Sequence, residues 1–112
     1  MLERANRLRG KELFQRLFSH GKRFFIGNMA GFSLSTKDDT LVIGVTFKQK
    51  AFRTAALRHR YKRRTLVWVR NHLAEFPRGR IVAIHFQQPF KLPLADQIDQ
   101  SLVKFLENLK KI

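Results

Sequence analysis

The chain has 112 residues and no cysteine. Disulfide scaffolds, thiolate zinc sites, thiol redox centres and cysteine nucleophiles are therefore excluded, and a reducing, cytoplasmic setting is expected. No apolar run approaches the roughly 18 residues of a membrane span, so no membrane partner is expected. Met1 to Gly10 is charged and lacks the apolar segment of a secretory signal. Proline is scarce, and Pro77, Pro89 and Pro93 all fall in the last third. Catalytic patterns are missing as well. His20, His59, His72 and His85 stand at no metal-ligand spacing, and the few carboxylates are scattered among helix ends and turns. There is no Gly-rich phosphate loop and no nucleophile elbow. No protein-borne catalytic group and no protein-bound metal is expected.

Acidic residues are the other scarcity. Eight Asp and Glu face 23 Lys and Arg, a net charge of +15. Hydrophobic residues make up 44%, ordinary for a globular domain and too many for a disordered basic tail. The reading is one domain over residues 1–112. Self-repulsion at this charge is a standing cost that a polyanion would offset, with RNA or DNA the first candidate.

Periodicity predicts the elements. Leu13, Phe14, Leu17 and Phe18 form the apolar face of a short helix over Gly10 to Phe18, with Gly21 as its stop. Phe24 to Ser35 reads as one strand, bulged near Gly27 or Gly31. Lys37-Asp38-Asp39 is a turn, and Leu41 to Phe47 (LVIGVTF) is a strand expected to pair antiparallel with the preceding one. Thr54 to Phe76 reads as one long helix with Tyr61 turned inward. Ile81 to Phe86 is a strand. Pro93 opens a last helix whose stripe is Leu94, Ile98, Leu102, Phe105, Leu106 and Leu109. The order is α-β-β-α-β-α, an α+β two-layer sandwich.

The charge is unevenly placed. No acid lies between Thr40 and Ala74, a window holding Lys48, Lys50, Arg53, Arg58, Arg60, Lys62, Arg63, Arg64 and Arg70. A solvated helix face would normally carry Glu/Lys pairs four apart; here Arg58/Lys62 and Arg60/Arg64 are like-charge pairs. The run Arg58-His59-Arg60-Tyr61-Lys62-Arg63-Arg64 suits phosphate contact near a helix N-terminus. A second cluster (Arg4, Arg7, Arg9, Lys11, Arg16, then Lys22 and Arg23) is interleaved with Phe14, Phe18, Phe24 and Phe25. Phenylalanine is abundant, 11 residues against one tyrosine. Cations beside aromatic rings hold single-stranded nucleic acid, while the helical spacing of Phe14 and Phe18 equally fits a core. On composition alone, a non-enzymatic RNA-binding protein, such as a ribosomal protein or RNA chaperone, fits as well. A membrane-surface binder fits poorly, because Asp96, Asp99 and Glu107 lie on the last helix.

Two groups of residues resemble a known family. Arg7-Leu8-Arg9, Phe14-Gln15-Arg16-Leu17-Phe18 and His20-Gly21-Lys22-Arg23 are similar to the N-terminal pattern of the bacterial ribonuclease P protein subunit. Ile43-Gly44-Val45-Thr46-Phe47, Lys48-Gln49-Lys50 and Arg58-His59-Arg60-Tyr61-Lys62-Arg63 resemble its strand and signature helix. The resemblance runs from about Leu2 to Leu109. It implies a fold like domain 2 of ribosomal protein S5, with a left-handed βαβ crossover. It also implies a partnership with a catalytic RNA and precursor tRNA, in which the RNA removes the 5′ leader and holds the Mg²⁺. Carried over by position, Arg58, His59, Arg60, Lys62, Arg63 and Arg64 would face the catalytic RNA. Phe14, Phe18 and Phe32, flanked by Lys48, Lys50 and Arg53, would hold the leader. Arg7, Arg9, Arg16, Lys22 and Arg23 would add basic contacts. His59 stands where the family has Asn, Gln49 where it has Lys, and Thr65 where it has an aliphatic residue.

Overall fold

A computed structural model describes residues 11–90 and 94–112. The expectations for Arg7 and Arg9, and for Pro93 as a helix opener, lie outside the described residues. The first helix, α1 (Lys11–His20), turns Leu17 fully inward. It stops where the Gly21 N–H donates to the Leu17 carbonyl at 2.9 Å. A Cβ at Gly21 would come within 2.5 Å of that same oxygen, so the stop needs glycine.

The strand expected over Phe24–Ser35 is two strands. β1 (Lys22–Ile26) and β2 (Met29–Ser35) form an antiparallel hairpin, with Ile26 paired to Met29. Gly27 and Asn28 make the two-residue loop, and Gly27 takes φ 54°, a conformation that favours glycine. The next expectation is corrected too. β3 (Leu41–Phe47) does not pair with β2. It pairs in parallel with β4 (Arg80–Phe86), and the sheet order is β1-β2-β4-β3. The Lys37–Asp39 bend is held locally, by the Thr40 N–H donating to Asp38 Oδ1 at 3.0 Å, and so redirects the chain without a ladder. β4 is apolar on both faces and takes the slot between β2 and β3 because that position buries both.

The crossover from β3 to β4 is α2 (Ala55–Asn71), capped by Thr54, whose hydroxyl accepts from the Leu57 N–H at 3.2 Å. The helix ends five residues before the expected Phe76. His72 stacks on Trp68 with centroids 3.9 Å apart and shares a 2.8 Å bond between Nδ1 and the Trp68 carbonyl. A 3-10 turn at Leu73–Glu75 follows. α3 (Leu94–Lys110) buries Ile98, Leu102, Phe105, Leu106 and Leu109, five of the six residues of the expected stripe.

α2 and α3 cover one face of the sheet over the main core, which includes Phe52, Tyr61, Phe86 and Phe105. Fully burying one such ring contributes about 1.5–3 kcal/mol. α1 lies across the opposite face, on Ala30, Phe32, Ile81 and Ala83. The α+β sandwich of sheet and long helices therefore has a short third element on its far side, and that element shapes one of the two surfaces below.

Candidate nucleic-acid interface

α2 carries the first surface. Its inner side buries Tyr61, Thr65, Leu66, Trp68 and Val69. The Tyr61 hydroxyl accepts from the Phe90 N–H at 2.6 Å, and burial pushes its phenol pKa up. With these residues inside, His59, Arg60, Lys62, Arg63 and Arg64 project outward and are exposed. Two of the basic residues have structural partners. Arg58, half-buried, donates through Nη1 to the Phe52 carbonyl at 2.7 Å and so fixes the β3–α2 loop against the helix. Arg64 forms a two-pronged ion pair with Asp99 of α3, with Nε donating to Oδ1 at 3.1 Å and Nη2 to Oδ2. The Asp99 carboxylate raises the Arg64 pKa through this bond.

Among the described residues, Arg60, Lys62 and Arg63 have no hydrogen-bond or ion-pair partner, and neither does Arg70 farther along the helix, so their charge is uncompensated within the chain. His59, Lys62 and Arg63 surround Leu66 in a shallow hollow of about 230 Å³. Arg63 also borders a neighbouring hollow of about 390 Å³ with Arg60, Arg64, Val67 and Leu94. These are apolar floors with cationic rims, suited to a sugar or base with phosphates at the edge. Thr65 sits beneath this face, fully buried, and its Oγ1 has no partner among the described residues.

The second surface is the α1 side of the sheet. Strand alternation places residues there in rows. One row is Arg23, Phe32, Ala83 and Gly44; the next is Phe25, Ala30, His85 and Thr46. Phe18 of α1 meets Phe32 edge-on at 4.7 Å and Phe14 at 5.9 Å. The three phenylalanines expected in one cleft are thus in contact. Their exposures differ: Phe32 is buried, Phe14 half-buried, and Phe18 41% exposed.

The basic residues expected to flank this cluster are spread along its edge. Lys48 continues β3, its N–H donating to the Phe86 carbonyl at 2.9 Å, and its charge reaches His85. Lys50 and Arg53 are exposed on the loop leading to α2, with Arg53 Nε donating to the Lys50 carbonyl at 3.2 Å. That loop joins the two surfaces. Arg16 is exposed on α1 beside Glu12 and His20. Lys22 borders a different hollow, with Ser33, Ser35 and Arg80, at the far end of β1. Arg23 lies on the α1 side, its guanidinium 5.9 Å from the centre of the Phe25 ring.

Two features were missed from the sequence. His85 reads there as a core or edge residue, yet it belongs to the second surface. Its Nδ1 and the Thr46 hydroxyl share a 2.8 Å hydrogen bond. Burial, and secondarily Lys48, lower its pKa, so its neutral form is favoured. The alternation of IVAIHF, which sets His85 on the side of Ile81 and Ala83, was the available signal. The other is the separation of Phe24 from Phe25: the sequence groups both with the second basic cluster, and only the strand places Phe25 on the α1 side and Phe24 on the opposite one.

Comparison with known proteins completes the picture. A family model described as Ribonuclease P matches residues 2–110. Among curated proteins no sequence matches significantly. The chain is similar in structure to the RNase P protein from Staphylococcus aureus, with a TM-score of 0.83 at 22% identity, covering 97% of this chain and 98% of that one. It is also similar to the RNase P protein from Thermotoga maritima, with a TM-score of 0.75 at 20% identity, covering 91% and 96%. Likeness at these identities establishes a shared fold.

Proposed function

Because the chain belongs to the ribonuclease P protein family, as a protein subunit of that endoribonuclease with the ribonuclease P RNA as its partner, we propose that its two surfaces divide the work. The outward cations of α2 grip the RNA subunit. The aromatic side of the sheet holds the 5′ leader of precursor tRNA while the RNA cleaves it, maturing the tRNA 5′ end in the cytoplasm.

Phosphate contacts from Arg60, Lys62 and Arg63 fix register, and release of counterions supplies most of the affinity. Arg58 acts through the loop it holds, keeping Lys48, Lys50 and Arg53 between the two surfaces. On the other side, Phe18 offers a ring face to an unstacked base, and Phe32 and Phe14 prevent that ring from turning away. Mg²⁺ needs oxygen ligands. The outward side of α2 carries cations and no carboxylate, so these residues do not fit a magnesium site. They fit the phosphates around ions that the RNA would hold.

The observation carrying this reading is the Phe14–Phe18–Phe32 cluster, with one ring exposed, joined by a basic loop to the acid-free helix. The test is precursor-tRNA cleavage by a bacterial ribonuclease P RNA with and without the protein, at about 2–10 mM Mg²⁺, where the RNA's own metal sites limit the rate. Strong stimulation is expected, and the protein should tighten binding of the leader-bearing substrate more than that of mature tRNA. No stimulation with the cognate RNA would overturn the reading.

A further inference from the structure

β1 is an edge strand, and alternation sends its two adjacent phenylalanines to opposite sides. Phe24 packs inward on Phe105, with centroids 5.0 Å apart. Phe25 points to the α1 side and is 59% exposed, more than any other large apolar side chain among the described residues. A single exposed ring means little by itself. This one has specific neighbours. It is paired with Ala30, in the row that continues through His85 and Thr46. Arg23 is paired with Phe32, so Phe25 and Phe32 are diagonal neighbours about 7–8 Å apart. Phe32 in turn carries Phe18. The Arg23 guanidinium lies against the Phe25 ring and, among the described residues, has no acidic partner.

We infer that Phe25 and Arg23 form a second stacking station for single-stranded RNA, extending the Phe14–Phe18–Phe32 surface to the β1 edge. The inference rests on the leader-binding reading and deepens it. Charge selects the occupant. A second copy of a chain carrying +15 would bring like charges together. An RNA strand instead supplies a base for the ring and a phosphate for the guanidinium. The sheet order also gives a direction. Lys48 and the loop to α2 lie at the β3 edge, and β1 is the opposite edge. With the RNA subunit held on α2, leader nucleotides nearest the cleavage position belong on the β3 side, and those farther upstream reach Phe25.

The test uses holoenzyme assembled with ribonuclease P RNA and two precursor tRNAs. One has a leader too short to reach β1; the other has a leader long enough to cross the roughly 14 Å from β3 to β1, three gaps of about 4.8 Å. Phe25→Ala should weaken binding of the long-leader substrate by about 5- to 150-fold, the range of one base–aromatic stack, and leave the short one unchanged. Phe25→Trp should restore it, whereas Phe25→Leu, apolar but without a ring face, should not. Phe18→Ala should weaken both. If Phe18→Ala weakens binding and Phe25→Ala does not, the second station is overturned and the leader reading survives. If neither variant matters and wild type ignores leader length, both fail. A lowered melting temperature for Phe25→Ala with equal loss on both substrates would mean that the ring packs on the chain itself, and would overturn the inference.

Discussion

Replacing Phe18 with alanine separates packing from recognition. The ring is 41% exposed, so about 60% of its surface is covered. Complete burial of a phenylalanine contributes about 1.5–3 kcal/mol, and the covered share of that is about 1–2 kcal/mol. The edge-on contact with Phe32 at 4.7 Å adds about 0.5–1.5 kcal/mol. The variant should therefore lose about 1.5–3 kcal/mol of folding stability, below the 3–5 kcal/mol typical of a fully buried ring. Binding should change in a different pattern. Loss of one base–aromatic stack, about 1–3 kcal/mol, weakens precursor tRNA binding by about 5- to 150-fold. Mature tRNA, which has no leader, should be unaffected. Urea unfolding of the free protein gives the first quantity. Equilibrium binding of both tRNAs to the holoenzyme gives the second. A stability loss of core size with equal weakening of both tRNAs would refute the assignment, and so would no differential weakening.

Three further predictions address other parts of the molecule. Binding to the RNA subunit should fall with salt at a log–log slope of about −5 to −7, corresponding to roughly 6–8 neutralised phosphates; Arg60→Ala should reduce that slope by about one, and a wild-type slope near −2 would contradict the basic-face argument. Thr65→Val removes a buried hydroxyl that has no partner while keeping the shape of the side chain. It should stabilise the fold by about 1 kcal/mol in thermal or urea unfolding without weakening RNA binding, and a clear destabilisation would show that the hydroxyl is satisfied. His85 has a pKa lowered by burial and by Lys48, so between its folded value and the ordinary 6.5 the unfolded chain binds more protons. Its contribution to stability is complete above about pH 6.5 and is lost as pH falls toward the folded value. His85→Gln should flatten that part of the stability–pH curve, and an unchanged curve would remove His85 as its source.

What could be read from the sequence follows the range of the forces involved. The stripe of α3 and the inward turn of Tyr61 are set by neighbours three and four residues away, and both hold. The hairpin at Gly27-Asn28 was written in a two-residue turn signal but was masked by apolar residues on both sides. The pairing of β3 was not legible locally, because its partner β4 arrives only after the whole of α2. The candidate site divides in the same way. Helical spacing set Phe14 and Phe18 on one face, whereas Phe32 joined them only through the family resemblance, because its strand is remote from α1 in sequence. A run of cations, however, does not reveal which members are already engaged. Arg58 and Arg64 look like Arg60 and Arg63 in sequence, yet the Phe52 carbonyl in the preceding loop holds the first and Asp99, 35 residues away, the second.

The slot between β2 and β3 has a consequence for how the protein is made. The strand that fills it comes last, Met29 pairing with Phe86 and Leu41 with Arg80. A nascent chain that has emerged only as far as α2 already displays the whole acid-free cationic window. It has no sheet on which to arrange that window, and both strands beside the gap expose unpaired backbone. Such a chain is a sticky polycation that can adhere to any RNA nearby without selecting one. The ladder can close on both sides only once β4 is present, so selectivity has to wait for that strand. A fragment ending before Arg80 should therefore keep its salt-sensitive adhesion to RNA and lose all preference among RNAs.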